Sequence, residues 1–373
     1  MKYLINVVIW VVSIFCCMLN VRASDDGIFL IINESAMKEC LEKESMCRLG
    51  ANITSKEQLI ISHDLILDLN GKSIQADPNM QLKNGLIIVN RGAKLTINDS
   101  KGTGLITTGK NKNVYAAIGL IKDVGTELAE LEVNGGTLEG YYYGIVGNGN
   151  NHNTKITIND GTIKGLNQED SAGIYQPQHG DIVINNGNIS GGTGIEIRSG
   201  TLTVNNGNIE GIASKFVKMV NKSGTTTNGV GIAVAQHTTK NPIQVAIHNG
   251  KISGQYAFYE WNPHNNQKSD LDKIDIQVSG GTFDGTAQGV STIYSQDFKK
   301  FVSGGKFNKD VTEYVKDGAT VTSKINETSE SVFKESEKQK KSFLFPFLIG
   351  IIIIGLSAGG LLFCKKQKLF WFQ

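Results

Sequence analysis

Apolar residues recur at alternate positions through the middle of the chain, and each short alternating run ends in a turn that carries Gly, usually beside Asn or Asp. LEVNGGTLEG (131–140), ITINDGTIKG (156–165), IVINNGNISG (182–191), LTVNNGNIEG (202–211), VAIHNGKISG (245–254) and IQVSGGTFDG (276–285) are copies of one unit. Ile156 and Ile158 share one side of a strand, and Ile163 follows the turn at Gly161. Period two predicts strands, and Gly flanked by Asn or Asp predicts turns. The closing glycines stand 25, 26, 20, 43 and 31 residues apart, and the interval of 43 reads as two units. A weaker copy, KFVSGGKFNK (300–309), has Lys300 where an apolar residue is expected.

A further strand recurs behind each unit: YYGIVGN (142–148), AGIYQPQ (172–178), TGIEIRS (193–199), VGIAVAQ (230–236), YAFYEWN (256–262) and STIYSQD (291–297). Repeats of roughly 20–30 residues made of short strands, with no helical period between them, predict an all-β chain folded as a single parallel β-helix, one unit per rung. A propeller blade needs roughly 40–50 residues, about twice this unit. At about 4.8 Å per rung, roughly ten rungs between residues 60 and 318 give a rod about 50 Å long. Asn70, Asn98, Asn134, Asn159, Asn185 and Asn205 close the first strand of successive rungs, followed by His248, Ser279 and Ser303. Amides stacked at a buried corner would bond from rung to rung, a structural ladder.

An open rod end is a sheet edge that invites aggregation. Residues 24–60 are read as its cover, with a helix over 35–49 that starts at Ser35 as N-cap and carries Met37, Cys40, Leu41, Glu44 and Cys47 at helical spacing. Seven helical residues separate Cys40 from Cys47 by roughly 10 Å, beyond bonding reach. Two buried thiols are therefore expected, and a bond would require the helix to break between them.

The ends of the chain speak to location. Residues 1–23 carry one Lys, an apolar run and Val21-Arg22-Ala23, the pattern of a cleaved secretory signal. Residues 343–363 contain no charge and are long enough to cross a hydrocarbon core of about 30 Å. Lys365, Lys366 and Lys368 follow, which predicts a single-pass membrane helix with the tail 364–373 in the cytoplasm and the bulk of the chain outside. No Leu-Pro-x-Thr-Gly motif precedes the span. Residues 319–342, mixed in charge and rich in Ser and Thr, read as a flexible stalk that joins the β-helix, 61–318, to the membrane.

Composition removes other classes. Gly is abundant at 43 of 373 residues, but with 5 Pro and no G-X-Y period the chain is not collagen-like. A net charge of +2 argues against nucleic acid as a partner.

LILDLNGKSIQ (65–75), GLIIVNRGAKLTINDSKGTGLIT (85–107) and the serial GGTLEG-type units resemble the right-handed β-helix surface proteins of low-GC Gram-positive bacteria, within the broad pectate-lyase-like superfamily. The resemblance covers about residues 28–318 and implies an adhesin or a carbohydrate-binding surface protein with no cofactor. It also raises polysaccharide lyase or hydrolase chemistry as an alternative. The nearest approaches to such motifs are Gln178-His179-Gly180-Asp181 and Glu196-Ile197-Arg198-Ser199, and the Asp pair of the hydrolases is missing. Without paired carboxylates, acid catalysis on a glycosidic bond lacks its two groups. The His and Asp residues show no metal-ligand spacing, so no metal site is assigned. A purely structural surface rod is the third reading.

One face is a candidate binding surface. If Ile145, Ile174, Ile195, Ile232, Phe258 and Ile293 point inward, then Tyr175, Glu196, Tyr259 and Tyr294 point outward from the same sheet, with Arg198 and Trp261 two places further along. Aromatic rings beside charged groups suit sugar stacking and hydroxyl recognition. The expected partner is an extracellular glycan or a matrix or host surface molecule, and decoration by β-favouring aromatics is the structural alternative.

Overall fold

The computed structural model describes residues 27–120, 125–150, 152–220 and 224–323. The expected signal 1–23, the membrane helix 343–363, the tail 364–373 and all but the first residues of the stalk 319–342 lie outside the described residues.

The chain is all-β, with three long parallel sheets: sheet A of ten strands, sheet B of eleven and sheet C of nine. It visits them in rotation. His179–Ile184 lies in sheet A, Asn188–Gly191 in sheet B and Thr193–Ile197 in sheet C, after which Gly200–Val204 returns to sheet A beside His179–Ile184. This arrangement is compatible with a parallel β-helix. Neighbouring rungs pair in register, so identical positions of the repeat stack: Ile145, Ile174, Ile195, Ile232, Phe258 and Ile293 form one inward column, each fully buried or nearly so. Period-two patterning has produced a core of aliphatic columns.

Two glycines of each unit have separate physical reasons. The turn glycine is left-handed, with φ of +108° at Gly161, +109° at Gly187 and +113° at Gly207, a region open to Gly without Cβ strain. The closing glycine lies where walls meet: a Cβ on Gly165 would fall 2.6 Å from the Ala172 carbonyl oxygen, and one on Gly191 would fall 2.6 Å from the Gly173 nitrogen.

Four expectations are corrected. Strands begin at Phe29, so the first turns of the coil lie inside the segment read as a cap, and sheet B runs on to Thr322–Ser323. The helix is Glu34–Lys43, capped by the Asn33 side chain, which accepts the Ala36 N–H at 2.8 Å; Ser35 lies inside it. Glu44 is extended, and Met46–Leu49 joins sheet A through the pairs Phe29↔Cys47 and Cys47↔Leu67. With the helix broken there, Cys40 and Cys47 approach to a Cα separation of 6.4 Å and form a disulfide in place of two thiols. Finally, the interval of 43 is one rung and not two, since Asn208 pairs directly with Lys251. The excess forms a strap, of which residues 212–220 and 224–228 are described, and a longer connection after Val234.

The Asn ladder is present but lies at an outer corner. Asn134 donates to Asn98 at 2.9 Å, Asn159 to Asn134 at 2.7 Å, Asn185 to Asn159 at 2.7 Å and Asn205 to Asn185 at 2.8 Å. These amides are half-buried or exposed, because each follows an inward aliphatic residue (Ile97, Val133, Ile158, Ile184 or Val204) and so takes the outward parity of the strand. Asn70 gives its amide hydrogen to the Leu49 carbonyl instead.

Candidate functional site

The outward side of sheet C carries three rows. The first runs Ala116, Tyr143, Ala172, Thr193, Val230 and Tyr256. The second runs Tyr175, Glu196, Ala233, Tyr259 and Tyr294. Arg198, Ala235 and Trp261 follow in the third. Register therefore brings the six candidate residues onto one wall, as their spacing predicts. Small side chains in the middle rungs, Thr193, Ala233 and Ala235, leave a trough between two aromatic groups, Tyr143 with Tyr175 and Tyr259 with Trp261.

The strap lies in that trough. Its limbs pair antiparallel, Val217↔Asn228 and Lys218↔Thr227. Thr226 donates its N–H to both oxygens of Glu196, at 2.8 and 2.9 Å, and its hydroxyl to Oε1 at 2.8 Å; Thr227 adds weaker bonds from its own N–H and hydroxyl. Arg198 donates from Nη1 to the Gly224 carbonyl at 3.2 Å and the Tyr175 hydroxyl at 3.1 Å, and from Nε to the Ala235 carbonyl at 3.2 Å. Its Nη2 meets Nε2 of His264. The indole N–H of Trp261 donates to the Thr226 hydroxyl at 3.2 Å, and Lys218 sits over the indole ring. Phe216 packs on Tyr256 and Tyr259.

As a result the face is covered. Glu196 and Arg198 have no exposure, and Tyr175, Tyr259 and Trp261 are buried. Tyr294 is the one of the six left partly open to solvent. Burial pushes the Glu196 carboxyl upward, against the opposing pull of the Arg198 charge and the Thr226 and Thr227 donors. It also pushes up the phenols of Tyr175 and Tyr143, whereas His264 is held down by burial and by the neighbouring Arg198 charge. Chemically this is a buried network that fastens a strap: each carboxylate oxygen of Glu196 receives donors and the Arg198 guanidinium reaches two carbonyls.

Spacing alone did not single out Thr225, Thr226 and Thr227. Their signal was the anomalous interval of 43 together with a Thr run that has no rung pattern. The two enzyme-like motifs separate in space: His179 and Asp181 are exposed on sheet A, while Glu196 and Arg198 lie beneath the strap on sheet C. Gln178 is buried and donates to Gln176 and Thr154. No group of three or more His, Cys, Asp or Glu that would hold a metal occurs among the described residues. Comparison of the chain with family models, with curated proteins and with solved structures found no match.

Proposed function

We propose that the chain is an exported cell-surface protein, a right-handed parallel β-helix held to the membrane by a C-terminal helix, that binds extracellular carbohydrate. Right-handedness follows from the strong preference of parallel β connections for that hand. Export is supported by the signal-like residues 1–23, by the charge-free run 343–363 with its following lysines, and by the Cys40–Cys47 disulfide, since disulfides persist in oxidising compartments. The similarity of the repeats to β-helix surface proteins supports an adhesive role.

The observation that carries the binding reading is the stack of Tyr259 on Tyr294, ring centroids 4.7 Å apart, with Tyr256 beside both. Tyr294 and Tyr256 are partly open, fixed by packing, and offer an apolar face with a hydroxyl at its rim, the combination that suits a sugar ring. Glu196 and Arg198 leave the ligand-binding set in this reading, because the strap occupies them. The same occupancy weakens the lyase or hydrolase alternative.

The test is a glycan screen with the full chain in detergent. Tyr294→Ala should weaken a captured glycan at least tenfold without lowering the melting temperature. A captured glycan indifferent to both Tyr294→Ala and Tyr256→Ala would remove this face. On intact cells, mild proteolysis should release a fragment that ends between residues 320 and 341.

A further inference from the structure

A second aromatic platform stands on the same wall, towards the other end. Tyr115 and Tyr142 meet edge to face with centroids 5.3 Å apart, and Tyr141 meets Tyr142 at 4.8 Å and 84°. All three rings are partly exposed. Their backbone is fixed by rung pairing: the Tyr142 and Tyr143 N–H groups both donate to the Tyr115 carbonyl, Asn167 N–H to the Tyr141 carbonyl, and Ala172 N–H to the Tyr142 carbonyl. Leu166, exposed, follows in the next rung, where its N–H bonds the Gly140 carbonyl. Here the aromatic column stops, for the next rung supplies Asn167 and Ser171. The rings thus form a short, preorganised surface with an apolar rim and three phenol hydroxyls. Asp170 lies close enough for its charge to raise the Tyr142 and Tyr143 phenols, after the larger effect of burial.

We propose that Tyr115, Tyr141 and Tyr142 form a second sugar-stacking subsite, and that the ligand is a linear, neutral, extended glycan long enough to reach from it to Tyr294. The inference rests on the carbohydrate-binding reading above and adds the ligand class. Neutrality follows from the place of Asp170, two residues before Ala172, whose N–H bonds the Tyr142 carbonyl: a carboxylate in the rung beside the platform disfavours a uronate. Length follows from the register. Tyr143, next in chain to Tyr142, lies five strand steps from the strand of Tyr294, about 24 Å at about 4.8 Å per step. Two weak platforms at that separation gain through effective concentration when one chain spans both.

The experiment uses the full chain in detergent and two probe series, β-1,4-linked glucose and β-1,4-linked N-acetylglucosamine, each from disaccharide to hexasaccharide, read by calorimetry. The expected result is a hexasaccharide bound at least tenfold tighter than the disaccharide in one series, with that gain lost in Tyr142→Ala and, separately, in Tyr141→Ala. Melting curves select folded variants, and Tyr142→Phe, which keeps the ring, should retain most of the gain. If the length gain survives both alanine variants while Tyr294→Ala abolishes binding, the second subsite is overturned and the Tyr294 reading stands. If binding depends on Tyr141 and Tyr142 but is indifferent to Tyr294 and Tyr256, the reverse holds for the sites and the spanning ligand is overturned. No binding of either series, or equal binding of polygalacturonate, would overturn the neutral, extended glycan assignment.

Discussion

Both carboxylate oxygens of Glu196 accept the backbone N–H of Thr226, at 2.8 and 2.9 Å, so a side chain of one rung holds the main chain of an insertion thirty residues further on. Replacing Glu196 by Ala leaves those donors buried and removes the counter-charge of Arg198. A loss of about 3–5 kcal/mol is expected, measured by urea unfolding near neutral pH. A loss below about 1 kcal/mol would mean that the strap is held by its other contacts.

Trp261 is bound into the same network through the Thr226 hydroxyl and lies between Tyr259 and the strap residue Lys218. Trp261→Ala should therefore cost about 3–5 kcal/mol through a cavity under the strap. A variant as stable as the parent would restore Trp261 to the set of surface residues available for stacking.

The inward columns and the common wall of the six candidate residues were legible, because in-register parallel stacking repeats one periodic pattern and leaves little freedom. The covering of that wall was not. Alternation identifies the outward side of a strand, but it cannot say whether outward means solvent or a second layer of chain, and Thr225-Thr226-Thr227 has no apolar period to reveal it. Cys40 and Cys47 show a different failure. Lys43, Glu44 and Met46 are all good helix formers, yet pairing of Cys47 with Phe29 and Leu67 outweighs propensity and ends the helix. The corner Asn residues were aligned correctly and buried wrongly: their stacking follows from register, and alternation itself places each of them, one residue after an inward Ile or Val, on the outward side.

Because the ladder faces solvent, its members should be worth little singly. Asn159 donates to Asn134 and accepts from Asn185. Asn159→Ala is expected to cost about 1 kcal/mol, and Asn159→Asp a similar amount, because a carboxylate there keeps its water and can still accept from Asn185. Chemical denaturation of both variants checks this. A loss of several kcal/mol in the Asp variant alone would show that the corner is dry.

The Cys40–Cys47 link closes a loop of seven residues. A loop this short restricts the unfolded chain modestly, and its removal should cost about 2 kcal/mol. The double Ser variant should keep its far-ultraviolet dichroism and melt lower, and the parent should shift to the same temperature under reductant. An identical melting temperature with and without reductant would mean that the bond is absent in solution.

Glu260 lies in an inward row of sheet C, between Val234 and Ser295, where most rungs place aliphatic or small residues. It is 1% exposed. Its Oε2 accepts the Ser295 hydroxyl at 2.7 Å and the Asp297 N–H at 3.0 Å, but burial outweighs these donors and raises its carboxyl to about 7. The native state thus holds the proton more tightly than the unfolded chain does. Stability from this group is fully present below the ordinary carboxyl range near 4.5, falls as pH rises towards about 7, and is flat beyond. The expected loss is on the order of 3 kcal/mol. Gln in place of Glu260 keeps an oxygen for both donors and does not ionise, so the stability difference between Glu260→Gln and the parent should shift in favour of the variant from pH 5 to pH 8. Asp297 is also raised, mainly by burial, and Glu196 is raised in the same direction, but both remain in parent and variant. Unfolding free energies of the two proteins at four or five pH values give the answer. A difference that stays constant across that range would mean that Glu260 titrates as an ordinary carboxyl in the folded chain.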